Sequence, residues 1–199
     1  MGKSVEQERR MLSGGSLKVE NRSEEDDSRG EIQGTAAKFN KRTKIGNWFY
    51  EEILPGAFDG VLDDDVRCLL NHNPDQILGR TKSGTLDIWV DDEGLKYKYI
   101  TPNRTFGIDL QDAIESGDVS GSSFSFRAEE VIWIEQEDDL DIRQIKKVGA
   151  LYDVAPVTYP AYEDTSVAKR SYDQREKDKT SSGRNLRQFE LIINKNKIK

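Results

Sequence analysis

Apolar and polar residues alternate along much of the chain with a period of two. Thr85-Leu86-Asp87-Ile88-Trp89-Val90 and Leu95-Lys96-Tyr97-Lys98-Tyr99-Ile100 follow this pattern on either side of Asp91-Asp92-Glu93-Gly94, which predicts a hairpin turning at the glycine. Further strands are expected at 34–39, 66–71, 119–126, 128–136, 142–148 and 151–157, several of them rich in aromatic and β-branched residues that suit a pleated surface. One internal helix is expected. It runs from about 107 to 116, with Ile108, Ala113 and Ile114 apolar and Gly117 as a C-terminal stop. Many short strands with one or two helices predict a mainly β fold with some α. The expected architecture is a closed or nearly closed antiparallel β-barrel flanked by a few helices, because closure leaves no exposed edges.

The ends of the chain break the alternation. Residues 171–185 are almost all polar and cannot bury enough surface to offset their ordering entropy, so they read as a flexible linker. Beyond it, 186–199 is a basic amphiphilic tail with Leu186, Phe189, Ile192 and Ile193 at helical spacing, readable as a docking helix or as a solvated end. Residues 1–15 form an N-terminal extension, which leaves 16–170 as the folded domain. Charge follows the same division. Residues 171–199 carry +4 of a net −7, so the remainder is −11.

Composition then removes function classes. A net negative chain argues against a general nucleic-acid binder, which needs clustered Lys and Arg to neutralise phosphates. No apolar run approaches the roughly 18 residues of a membrane-spanning helix, and the first ten residues lack the apolar stretch of a signal peptide, so cytoplasmic synthesis is expected. Cys68 is the only cysteine and His72 the only histidine, which leaves no intrachain disulfide and no ordinary structural zinc site. The acidic runs 63–65 and 137–139 lack the alternating, glycine-turned spacing of a calcium loop, and no nucleotide-binding glycine loop exists. No metal and no cofactor are expected.

The lone His72 sits in Leu69-Leu70-Asn71-His72-Asn73-Pro74, and fifty-one residues later comes Gly121-Ser122-Ser123-Phe124-Ser125-Phe126. Period two puts Phe124 and Phe126 on one face of a strand and Ser123 and Ser125 on the other. If the chain does nucleophilic chemistry with a serine, its base is His72, since imidazole ordinarily titrates near neutrality.

Six ordered blocks add a resemblance. They are Leu54-Pro55-Gly56-Ala57-Phe58, Leu69-Leu70-Asn71-His72-Asn73, Leu78-Gly79-Arg80, Asp92-Glu93-Gly94-Leu95, 117–126, and Val157-Thr158-Tyr159-Pro160-Ala161-Tyr162. In order and spacing, residues 16–170 resemble the prohead serine protease family of tailed phages. The resemblance implies a fold similar to the herpesvirus assembly protease. It also implies a serine endopeptidase that works in the host cytoplasm, inside the prohead, cutting scaffold and propeptide segments from the major capsid protein and cutting itself. Carried over by position, the family's histidine falls on His72 and its nucleophile on Ser123, with Ser122 and Ser125 as alternates. Herpesvirus enzymes orient their histidine with a second one, which this chain lacks. An acid must take that role, and the candidate is Asp153, on a strand shortly before the Pro160-Ala161 block. Arg127 is a candidate oxyanion cation, and Arg80 matches the family without an assigned role. Analogy with the herpesvirus enzymes would make the protein a homodimer, and charge and hydropathy leave no nucleic-acid or membrane partner expected. The competing class is a non-catalytic capsid-assembly or scaffold-associated β-barrel module whose basic tail binds an acidic partner.

Overall fold

The computed structural model describes residues 7–12, 17–20, 29–159 and 169–180. Within them the chain runs through β1 (Glu8–Leu12), β2 (Leu17–Glu20), β3 (Glu31–Lys38), β4 (Thr43–Ile45), β5 (Phe49–Ile53), β6 (Arg67–Leu69) and β7 (Ile77–Arg80). It continues through β8 (Asp87–Val90), β9 (Gly94–Ile100), helix α1 (Thr105–Glu115), β10 (Gly121–Ile134) and β11 (Ile142–Val157). Residues 169–180 form a further helical segment.

The predicted hairpin is β8–β9. Asp91 Oδ1 accepts from the backbone N–H groups of Glu93 and Gly94, the carboxylate turn that Asp favours. Gly94 has a second reason to be glycine. A Cβ there would lie 2.0 Å from the Ala37 carbonyl oxygen of β3, the next strand. β2, β3, β9 and β8 pair antiparallel in that order as one sheet, packed by Ile32, Leu95, Tyr97 and Tyr99 on its inner face. Helix α1 begins two residues earlier than predicted, and the N–H of Gly117, at φ 85°, donates to Ile114 to close its end.

The second sheet joins seven strands. Its spine is β1-β10-β11-β5-β4, and β6 pairs with β11 and then with β7. The pairs predicted as 119–126 with 128–136, and 142–148 with 151–157, are each one long strand. β10 and β11 run antiparallel through several irregularities that bend them rather than break them. Phe124 and Phe126 enter the common core with Phe58, whose ring meets Phe124 edge-on at 5.7 Å between centroids.

The all-antiparallel expectation is corrected, and barrel closure is not confirmed. The sheet is mixed rather than antiparallel, because β11 pairs parallel with both β5 and β6. Among the described residues no continuous ladder closes a barrel; one isolated bridge, Phe39 to Ile53, links the two sheets. The stretch read as a linker also differs, since 171–180 is helical. Tyr172 packs on Phe49 and Trp133, and Arg175 lies over the Trp133 ring at 4.4 Å while pairing with Asp141. Lys179 adds a pair with Glu135, so a few well-placed side chains dock a polar helix, which averaged composition conceals. Residues 181–185 and the tail at 186–199 lie outside the described residues.

Candidate active site

Three neighbouring strands bring three distant residues together. β11 lies between β6 and β10, with Asp153 opposite Arg67 on one side and opposite Ser125 on the other. β6 ends in a tight turn, Leu70–His72, that swings His72 back over β11. Asn71 and His72 hold φ values of 54° and 57°, the left-handed region that non-glycine residues seldom occupy. Asn71 shows what holds them there. Its side-chain oxygen accepts from the Thr158 N–H at 2.9 Å, and its amide nitrogen donates to Thr158 Oγ1 at 2.8 Å, pinning the turn to the end of β11.

Asp153 keeps its orientation because the ladder absorbs one extra residue beside it. Phe126 pairs with Leu151 and Ser125 with Asp153, so Tyr152 is left without a partner as a bulge. Residues paired across a ladder share a face. Leu151 and Val154 therefore both reach the core, while Asp153 turns to the side of Ser123 and Ser125. The Leu151 N–H beside the bulge donates to Asp64 Oδ2 at 2.9 Å, which gives part of the 63–65 run a structural duty.

His72 Nδ1 contacts Asp153 Oδ1, and His72 Nε2 lies 2.7 Å from Ser123 Oγ. All three are buried, with Ser123 at 0% exposure. Carboxylate, imidazole and hydroxyl thus form one relay: Asp153 can hold the Nδ1 proton, leaving Nε2 to accept from the serine. The other serines have different partners. Ser122 faces the core and shares a hydrogen bond of 2.9 Å with the Tyr97 hydroxyl, while Ser125 receives the Gln7 side-chain amide. Arg127 is elsewhere. Its guanidinium donates to the Gly149 carbonyl at 2.8 Å, four residues along β10 from Ser123, roughly 13 Å at strand rise. Arg80 has a visible structural role. It grips Asp65 through Nε at 2.7 Å and Nη2 at 2.6 Å, and that pairing holds the Asp65 carboxyl down to about 2. Behind Asp153, burial first and the nearby carboxylate second push the Cys68 thiol well up, leaving it neutral.

One polar cluster nearby is not foreshadowed by the sequence pattern. Glu8 and Arg10 of β1, Glu51 of β5 and Arg143 of β11 form a buried group of four charges. Burial drives the Glu8 carboxyl up, but Arg143 and Arg10 outweigh it and hold it below its ordinary value. Burial likewise opposes the Arg143 charge, and Glu51 with Glu8 restores it. The signal that could have revealed β1 is the spacing Glu8-x-Arg10, which puts opposite charges on one face of a strand.

A serine and a carboxylate on adjacent strands, joined through an imidazole on the turn after β6, make the arrangement that serine proteases of the triad type use. The family profile described as caudovirus prohead serine protease matches residues 17–179. The chain belongs to that family, and is therefore a serine protease of phage capsid maturation that acts among capsid proteins. Among solved structures, the bacteriophage T4 capsid assembly protease gp21 is similar at 13% identity and a TM-score of 0.47, covering 78% of this chain and 99% of that one. That likeness is too distant to bear on the chemistry. No curated protein matches the chain. Among the described residues no helix is long and apolar enough to cross a membrane.

Proposed function

We propose that Ser123 is the nucleophile, His72 the general base and acid, and Asp153 the group that orients and balances the imidazole, in an endopeptidase that trims capsid-protein precursors inside the prohead. The relay Asp153–His72–Ser123 is the observation that carries this reading. Ser123 Oγ attacks the scissile carbonyl carbon as Nε2 takes its proton, and collapse of the tetrahedral adduct expels the amine, which leaves with that proton. Water then gives a proton to Nε2 as its oxygen attacks the acyl ester, and the second adduct collapses to the carboxylic product while Nε2 returns that proton to Ser123 Oγ. Asp153 stays ionised throughout and stabilises the imidazolium while it exists. Ser122, committed to Tyr97 on the core side, and Ser125, one residue pair beyond the imidazole, are poorly placed for the same role.

The substrate we assign is the scaffold or propeptide segment of the major capsid protein, with self-cleavage as a second reaction. The test is intact-mass analysis of capsid precursor co-expressed with the wild-type chain or with Ser123→Ala. Trimmed precursor and a shortened enzyme are expected only with the wild type. Trimming that persists with Ser123→Ala would overturn the nucleophile assignment, and full-length enzyme after complete trimming would remove self-cleavage.

A further inference from the structure

The edge of β10 that carries Ser123 is already occupied. β1 runs antiparallel along it, from Glu8 opposite Phe126 to Leu12 opposite Ser122, so its backbone crosses over the serine. The Arg10 carbonyl accepts from Ser123 Oγ at 2.8 Å, while His72 Nε2 waits at 2.7 Å. The hydroxyl has one hydrogen and two acceptors. Whenever Arg10 holds it, His72 cannot. A serine with 0% exposure also admits no peptide carbonyl, so an extended chain can reach it along this edge only where β1 now lies.

Period two turns Glu8 and Arg10 to the same side, with Arg9 facing solvent between them. Each enters a seat of opposite charge. Arg143 grips the Glu8 carboxylate with both terminal nitrogens, at 2.7 and 2.8 Å, and the Arg10 guanidinium donates to Glu51 Oε2 at 2.9 Å. Arg143 and Glu51 also touch each other at 2.6 Å, so neither is stranded when β1 departs. Buried ion pairs give back most of their attraction in desolvation, which makes such a strand displaceable.

We propose that the β10 edge beneath β1 is the peptide-binding edge of the enzyme, where substrate adds as an antiparallel strand. Arg143 and Glu51 form the subsite that selects a carboxylate followed two residues later by a basic side chain. β1 carries that pattern and is the tethered occupant that leaves before substrate enters. The proposal rests on Ser123 being the nucleophile.

The experiment uses the full chain and a fluorophosphonate that labels reactive serine, read by mass spectrometry. Glu8→Gln/Arg10→Gln loosens β1 and is expected to raise the labelling rate roughly tenfold, the effect of weakening charge-assisted hydrogen bonds. A synthetic peptide of residues 6–14 is expected to slow labelling of that variant, and the same peptide with Glu8 and Arg10 exchanged is not. Equal labelling rates with and without the substitutions, or equal inhibition by both peptides, overturns the proposal. If the double variant does not fold, hydrogen exchange on the wild-type chain decides. Amides of Arg9–Leu12 are expected to lose protection once Ser123 is phosphonylated, and retained protection overturns the proposal. Complete absence of labelling at Ser123 in every form would instead overturn the nucleophile reading.

Discussion

Two buried polar clusters sit on the same sheet and are built on opposite plans. The Asp153–His72–Ser123 relay is an open chain in which each group has one place and no substitute, and in the proposed mechanism a proton passes only between Ser123 and His72. The Glu8–Arg10–Glu51–Arg143 cluster is a closed square of four full charges with several cross-links, in which no proton needs to move. The relay has the arrangement our proposal asks of a catalyst, and the square has that of a clamp. Burial serves them differently: it excludes water from the proton path in the first, and in the second it sets a desolvation cost that keeps the net hold modest.

Substitution separates the two plans. The largest effect belongs to Ser123→Ala, for which loss of about 10⁶ in kcat is expected from a triad nucleophile, followed with a peptide containing the capsid processing site. Asp153→Asn comes next, at about 10⁴, because an amide favours the wrong imidazole tautomer; the folded state should survive, as near-ultraviolet circular dichroism would report. In the square the cost falls on stability. Arg143→Met leaves two buried carboxylates sharing one cation, and a loss of about 3–5 kcal/mol in urea unfolding is expected. Replacing all four charges with apolar residues of similar size should recover most of it, whereas no combination of apolar residues restores the relay. If the fourfold variant were as unstable as Arg143→Met, the clamp would be more than charge neutralisation. The smallest effect concerns acid. Asp65 has its carboxyl lowered from 3.8 to about 2 by Arg80, so its contribution to stability is complete above pH 4 and fades as pH falls towards 2. Asp65→Asn should therefore shift the melting temperature at pH 6 and leave it nearly unchanged at pH 2.

The relay was more legible in sequence than the square because rarity is informative. With one histidine in the chain, position by family resemblance leaves a single base, and alternation of Ser with Phe separates Ser123 from the core. Charged residues are plentiful, so nothing in the composition singles out Glu51 among 37 acidic residues or Arg143 among 30 basic ones. β1 is short and polar-rich, and β5 sets Glu51 between the buried Phe49 and Ile53 in only five residues; long-range pairing makes them strands. The same holds for the mixed sheet. Alternation reports which residues are strand but carries no information about strand direction, so β11's parallel partners were invisible. The helix at 169–180 escaped because a few side chains, Tyr172, Arg175 and Lys179 among them, anchor a segment whose average is polar.

The bulge at Tyr152 has an implication for how this protein can change. The bulge takes up the one residue by which the stretch from Leu151 to Val154 exceeds its partner strand. Delete Tyr152, and Leu151, Asp153 and Val154 fall directly opposite Phe126, Ser125 and Phe124, so the ladder becomes regular and the carboxylate keeps its face. A residue lost between Asp153 and Ala155 has no such slack, and would turn Asp153 towards the opposite face relative to the rest of the strand; tolerance to a missing codon is therefore local to the bulge.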